Sequence, residues 1–305
     1  MRCGSRAARG GTASGRNIVL LAAATIMFQD EHVATVEPEA RPPDAEYPFL
    51  RERNAILISL VLLAGGAWAL IIWVAASPMD RDMDMDAALT MGLGASVFLA
   101  LWIVMMIATM FPSAAPMILM FERVQRGKLR RDGSFVPTWI FSVGYLFVWT
   151  LAGAVAYAIA ASGELVARDH AWLSDAAPRI AAGTFIAAGV YQITPIKDAC
   201  LSKCRSPMRF VLDSWRDGSA GALRMGVEHG AYCLGCCWML FAVLFPLGMM
   251  NVVAIALITL FIFAEKEFSF GRAVGRAGAG ALMAWGCIVL AAPDTLPIVV
   301  RMGWT

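Results

Sequence analysis

Charge is scarce in this sequence: Asp, Glu, Lys and Arg make up 16% of its 305 residues, against 59% hydrophobic. Soluble domains carry an apolar share of roughly 45–50%, so the composition excludes a water-soluble globule and places the chain in a lipid bilayer. A phosphate-cradling Gly-rich loop ending in Gly-Lys-Ser/Thr is also missing, which excludes ATP-driven chemistry by this chain alone. There is neither a His pair nor a second Cys-x-x-Cys, and so no zinc finger. The net charge of +2 is the difference between loops of opposite character, and no basic face for nucleic acid exists.

Long apolar runs are abundant. Asn54 to Ala76 contains no charged residue, and about 20 residues suffice to cross roughly 30 Å of hydrocarbon. Further spans are expected at Thr90–Phe121, Thr138–Ala161, Ile180–Ile196, Gly230–Leu247, Met250–Ala264 and Gly275–Ala292. The predicted fold is an all-α polytopic transmembrane helix bundle of about seven spans. The uncharged stretch from Gly230 to Ala264 reads as two spans because Pro246 and Gly248 break it. Charge bias supports the division. With seven spans, one set of loops carries 16 Lys and Arg residues, from Arg51 to Arg276, and the other carries four, Arg81, Arg168, Arg179 and Arg301. Basic residues collect in short cytoplasmic loops, so the N-terminus is expected inside and the C-terminus outside. Residues 1–53, Gly/Arg/Ser-rich and then Pro/acidic, are expected to be a disordered cytoplasmic tail. Residues 54–292 form the membrane domain, and 293–305 a short C-terminal tail.

The second span holds Pro112 and Pro116, which remove two backbone donors and predict a kink or a local unwinding. Met105, Met106, Met110, Met117 and Met120 surround that point. Methionine fills irregular packing, and its thioether is also a weak ligand for Cu(I).

Five of the seven cysteines lie between Cys200 and Cys237, as Cys200-Leu-Ser-Lys-Cys204 and Cys233-Leu-Gly-Cys236-Cys237. On helices, the four-residue steps Cys200–Cys204 and His229–Cys233–Cys237 each define one face. The fourth span ends and the fifth begins on the same side, so the two clusters are able to meet at the cytoplasmic face. Thiolates are soft ligands that favour Cu(I), Zn(II) or iron–sulfur clusters. The candidate metal ligands are Cys200, Cys204, Cys233, Cys236, Cys237, His229, Met110 and Met117, with copper as Cu(I) the leading ion and zinc an alternative. Two other readings stay open: structural thiols, and thiol–disulfide exchange through Cys233 and Cys236, although no thioredoxin-like pattern surrounds them. A lone Cys such as Cys287 reads as a small buried hydrophobe.

These motifs resemble those of the predicted metal-binding integral membrane protein family, a domain of unknown function known as DUF2182, over about residues 95–290. The matching elements, in order, are Met105-Met106 with Met110-Phe-Pro112-Ser-Ala-Ala-Pro116-Met117; Tyr191-Gln192, Thr194-Pro195, Lys197, Cys200 and Cys204-Arg-Ser-Pro207; His229-Gly, Tyr232-Cys233 and Gly235-Cys236-Cys237-Trp238; and Met250-Asn251 with Glu265-Lys266. Where the family often has Trp-Met shortly after Met-Asn, this chain reads Val252-Val-Ala-Ile-Ala. Some members are called copper chaperones. The resemblance therefore implies metal binding rather than enzymatic activity, with the bilayer and a metal-delivering or metal-accepting protein as partners.

Other polar residues are read as follows. Lys197 either snorkels to the interface or lowers nearby thiol pKa values, and Glu265-Lys266 reads as a solvated pair, with charge or proton carriage by Glu265 near the site as the alternative. Asn251 is expected to cap the sixth span. The loop Met79-Asp-Arg-Asp-Met83-Asp-Met85-Asp86 reads as a solvated acidic segment, with weak capture of copper as the alternative.

Overall fold

The computed structural model describes residues 47–77, 90, 92–293 and 295, and contains no strand among them. The chain divides into residues 1–52 and 53–305; of the first unit, only the opening of one helix is described. The expected N-terminal tail, the Met/Asp loop and most of the C-terminal tail lie outside the described residues.

In chain order the helices are α1 (Tyr47–Ala75), α2 (Ala95–Asp132), α3 (Thr138–Asp169), α4 (Ala171–Gln192), α5 (Pro195–Cys204), α6 (Pro207–Ser214), α7 (Gly218–Ala242), α8 (Leu244–Leu247), α9 (Val252–Glu267) and α10 (Gly271–Ala291). Among the described residues, five segments are long and apolar enough to cross a membrane: Arg53–Ala75, Ala95–Arg131, Thr138–Asp169, Gly218–Leu247 and Gly271–Ala291. The expected fourth and sixth spans are helices too, but they fall short of that standard. Helix α9 has 16 residues, and α4 carries Asp175 and Arg179 in its first half.

Of the two outcomes expected at the prolines of the second span, the local unwinding does not occur. Helix α2 runs through both Pro112 and Pro116 and on to Asp132. Pro112 leaves the carbonyl of Ala108 without its helical donor, and the indole Nε1 of Trp68 on α1 donates to that carbonyl at 3.1 Å. In hydrocarbon such a carbonyl must find a partner within the protein, so the interhelical bond explains why the helix tolerates the proline. Beyond the apolar stretch, a Glu122–Arg126 ion pair of 2.6 Å supports the next turn. The helix ends at Gly133, whose φ of 67° closes it in the left-handed region.

Close backbone approach organises the bundle. A Cβ at Gly226 of α7 would lie 2.1 Å from the carbonyl oxygen of Phe141 on α3, and one at Gly144 of α3 only 2.3 Å from that of Leu223. Small residues thus let α3 and α7 touch along their backbones, as in other membrane helix pairs. Gly189 on α4 and Gly286 on α10 serve the second tight pair in the same way.

The uncharged stretch from Gly230 to Ala264 divides as its Pro and Gly predict. Helix α7 ends at Ala242, the single turn α8 contains Pro246, and Gly248 takes a φ of 92°. Asn251 then caps α9, its Oδ1 accepting from the Ala254 amide at 2.9 Å. The start expected at Gly230 is corrected to Gly218, because Arg224 and Glu228 pair at 3.1 Å and continue the helix in a charged segment. At 1.5 Å per residue, Cys233 therefore lies about 22 Å along α7 rather than in its opening turn.

Candidate metal centre

Helix α5 is short and built to start where α4 stops. Pro195 occupies its first turn, where a missing amide costs nothing, and the Thr194 hydroxyl accepts from the Lys197 amide at 3.3 Å. The helix brings Cys200 and Cys204 against α7. Gly235 of α7 makes room, since a Cβ there would meet the Cys200 sulfur at 2.7 Å. The Tyr191 hydroxyl donates to the Gly235 carbonyl, fixing the end of α4 to the same spot.

The two cysteine clusters meet. The sulfurs of Cys204, Cys233 and Cys236 all lie within 4.8 Å of one another, and this trio is the group able to hold a metal ion among the described residues. The Cys204 and Cys236 sulfurs are 4.0 Å apart, and those of Cys236 and Cys237 are 3.2 Å apart. Two sulfurs bonded to one tetrahedral ion at about 2.3 Å would sit roughly 3.8 Å from each other, whereas a disulfide needs about 2.05 Å. These cysteines are free thiols.

The remaining expected ligands are placed differently. Cys200 is half-buried and lies beside Gly235, outside the trio. Burial pushes its thiol pKa up. Cys237 borders the trio, its sulfur 3.2 Å from that of Cys236. His229 is 2% exposed and stacks on Phe141 and Tyr145 at centroid distances of 5.9 and 5.6 Å, with its Nδ1 unpartnered. Met110 and Met117 are fully buried on α2, on either side of Ser113, whose Oγ lies 3.3 Å from the Lys266 ammonium. Cys287 is exposed on α10 and not buried as expected.

The polar end of α9 is the largest correction. Glu265 and Lys266 are buried, and they do not form a solvated pair. The Lys197 ammonium donates to both Glu265 carboxylate oxygens, at 2.5 and 2.7 Å, and Lys197 is itself only 2% exposed. Arg205 adds bonds to the carbonyls of Glu265 and Phe268 at 3.0 and 2.8 Å. Glu265 thereby grips α5. Lys266 turns the other way and donates to the Cys233 sulfur at 3.1 Å, where the Tyr145 hydroxyl also lies at 3.1 Å. Two adjacent residues of one helix thus hold both halves of the thiol pocket. Sequence reasoning missed Tyr145 and the roles of Ser113 and Lys266, although both of the latter lie in the matching motifs.

At the other end of α7, Lys128 of α2 pairs with Asp217 and holds its carboxyl below the usual carboxylate range.

Membrane-length helices packed around a buried cluster of soft donors define a helical protein of membrane type with a site able to hold a metal. A family model described as PpoB2, copper chaperone, matches residues 99–289. The chain belongs to this copper chaperone family. No curated protein and no solved structure matches it.

Proposed function

We propose that the chain is a multi-pass protein of the bacterial inner membrane that takes up Cu(I) at a cytoplasmic-face thiol pocket and hands it to a partner protein, without enzymatic chemistry. The convergence of three sulfurs from two helices within 4.8 Å carries this reading. Cys204, Cys233 and Cys236 are the primary ligands, and Cys237, Cys200, His229, Met110 and Met117 are nearby groups on the path of the ion. Three sulfur donors suit Zn(II) as well. The buried methionines and the family's description favour copper. The 16-to-4 bias of basic residues supports an inside N-terminus and an outside C-terminus.

The test is metal analysis of protein purified under reducing conditions, with Cu(I) affinity measured against a competing chelator. Wild type should hold one Cu(I). Cys204→Ser, Cys233→Ser and Cys236→Ser should each weaken binding by tenfold or more, and Cys287→Ser should leave it unchanged. Equal copper content in wild type and in all three Ser variants would refute the assignment.

A further inference from the structure

The thiol pocket already contains a fixed cation. Lys266 is 6% exposed, and its ammonium donates to the Cys233 sulfur at 3.1 Å and to Ser113 Oγ at 3.3 Å. Its neighbour in sequence is committed elsewhere, because Glu265 directs both carboxylate oxygens to Lys197. Cys233 is a member of the trio, so the ammonium borders the place where an ion would be held.

Nothing in three cysteine sulfurs alone selects Cu(I) over Zn(II), since both bind thiolate tightly. We infer that Lys266 determines the charge class of the ion, favouring monovalent soft cations over divalent ones in the same three-sulfur pocket. The inference rests on the copper reading above. Its size follows from the geometry. An ion about 2.3 Å from the Cys233 sulfur lies at most about 5.4 Å from the Lys266 nitrogen, given the 3.1 Å contact. At an effective dielectric constant of about 20, the repulsion at that distance weakens binding roughly a hundredfold for each unit of charge on the ion. Zn(II) meets this penalty twice and Cu(I) once, so the ammonium biases the pocket about a hundredfold towards Cu(I).

The experiment measures Cu(I) and Zn(II) affinities by chelator competition on the full chain in detergent micelles, for wild type, Lys266→Met, Lys266→Gln and Lys266→Arg. Both neutral variants should raise the ratio of Zn(II) to Cu(I) affinity about a hundredfold, and the Arg variant, which keeps the charge, should stay within threefold of wild type. Two neutral side chains of different polarity guard against one failing to fold. A folded neutral variant with the wild-type ratio would overturn the role of Lys266 while leaving Cu(I) binding in place. Wild type that binds no Cu(I) would instead overturn the functional reading, and this inference with it.

Discussion

Removing one partner of the Lys197–Glu265 pair should release α5 from the bundle. Both side chains are almost fully buried, and both carboxylate oxygens are bonded to the ammonium. Lys197→Met would leave Glu265 as a buried carboxylate without its cation, and breaking a buried pair in this way costs about 3–5 kcal/mol. Because Lys197 and Arg205 are the polar tethers of α5 to α9, the cost should fall on the local opening of that segment. A loss of 3 kcal/mol speeds opening-limited amide exchange by roughly a hundredfold. The assay is hydrogen exchange with mass spectrometry on residues 198–204, compared with an internal standard in α3. The double variant Lys197→Met/Glu265→Leu leaves no unpaired charge, and its α5 exchange should return to within about tenfold of wild type. Single variants within threefold of wild type, or a double variant as labile as the two single effects added together, would refute the reasoning.

Two further outcomes test the packing that presents the site. Trp68→Phe keeps the ring but strands the Ala108 carbonyl; it should destabilise the protein by about 1 kcal/mol, read as a lower unfolding midpoint, and an unchanged midpoint would show that the freed carbonyl has another partner. Gly226→Leu would drive a side chain into the Phe141 carbonyl, so it should force α3 and α7 apart and weaken Cu(I) binding along with stability, whereas Gly280→Leu, with open space around it, should do neither.

Much of the architecture was legible in the sequence because it depends on local causes. Pro195 opens α5 as its missing amide allows, Pro246 and Gly248 lie in the break between α7 and α9, and Asn251 caps as its position suggests. The meeting of the two cysteine clusters was legible from helix order and four-residue spacing. What stayed hidden depends on contacts between distant residues. No spacing rule says that Gly235 seats Cys200 aside while Cys204 reaches Cys236. Nor does any say that Lys266 pairs with a thiol 33 residues away while Glu265 faces elsewhere. That α2 stays helical through its prolines was not legible, because the donor that satisfies its freed carbonyl comes from another helix, 40 residues earlier.

The trio of sulfurs is divided two to one, with Cys233 and Cys236 on α7 and Cys204 on α5. An ion bound by all three would act as a staple across a stretch of 32 residues. Like a disulfide, such a link constrains the unfolded chain, and the constraint for a loop of this length amounts to roughly 3–4 kcal/mol. Unlike a disulfide, it disappears when the ion leaves. The cargo would therefore set how firmly α5 is held, and the loaded and empty proteins would differ in the rigidity of the segment that carries Cys204.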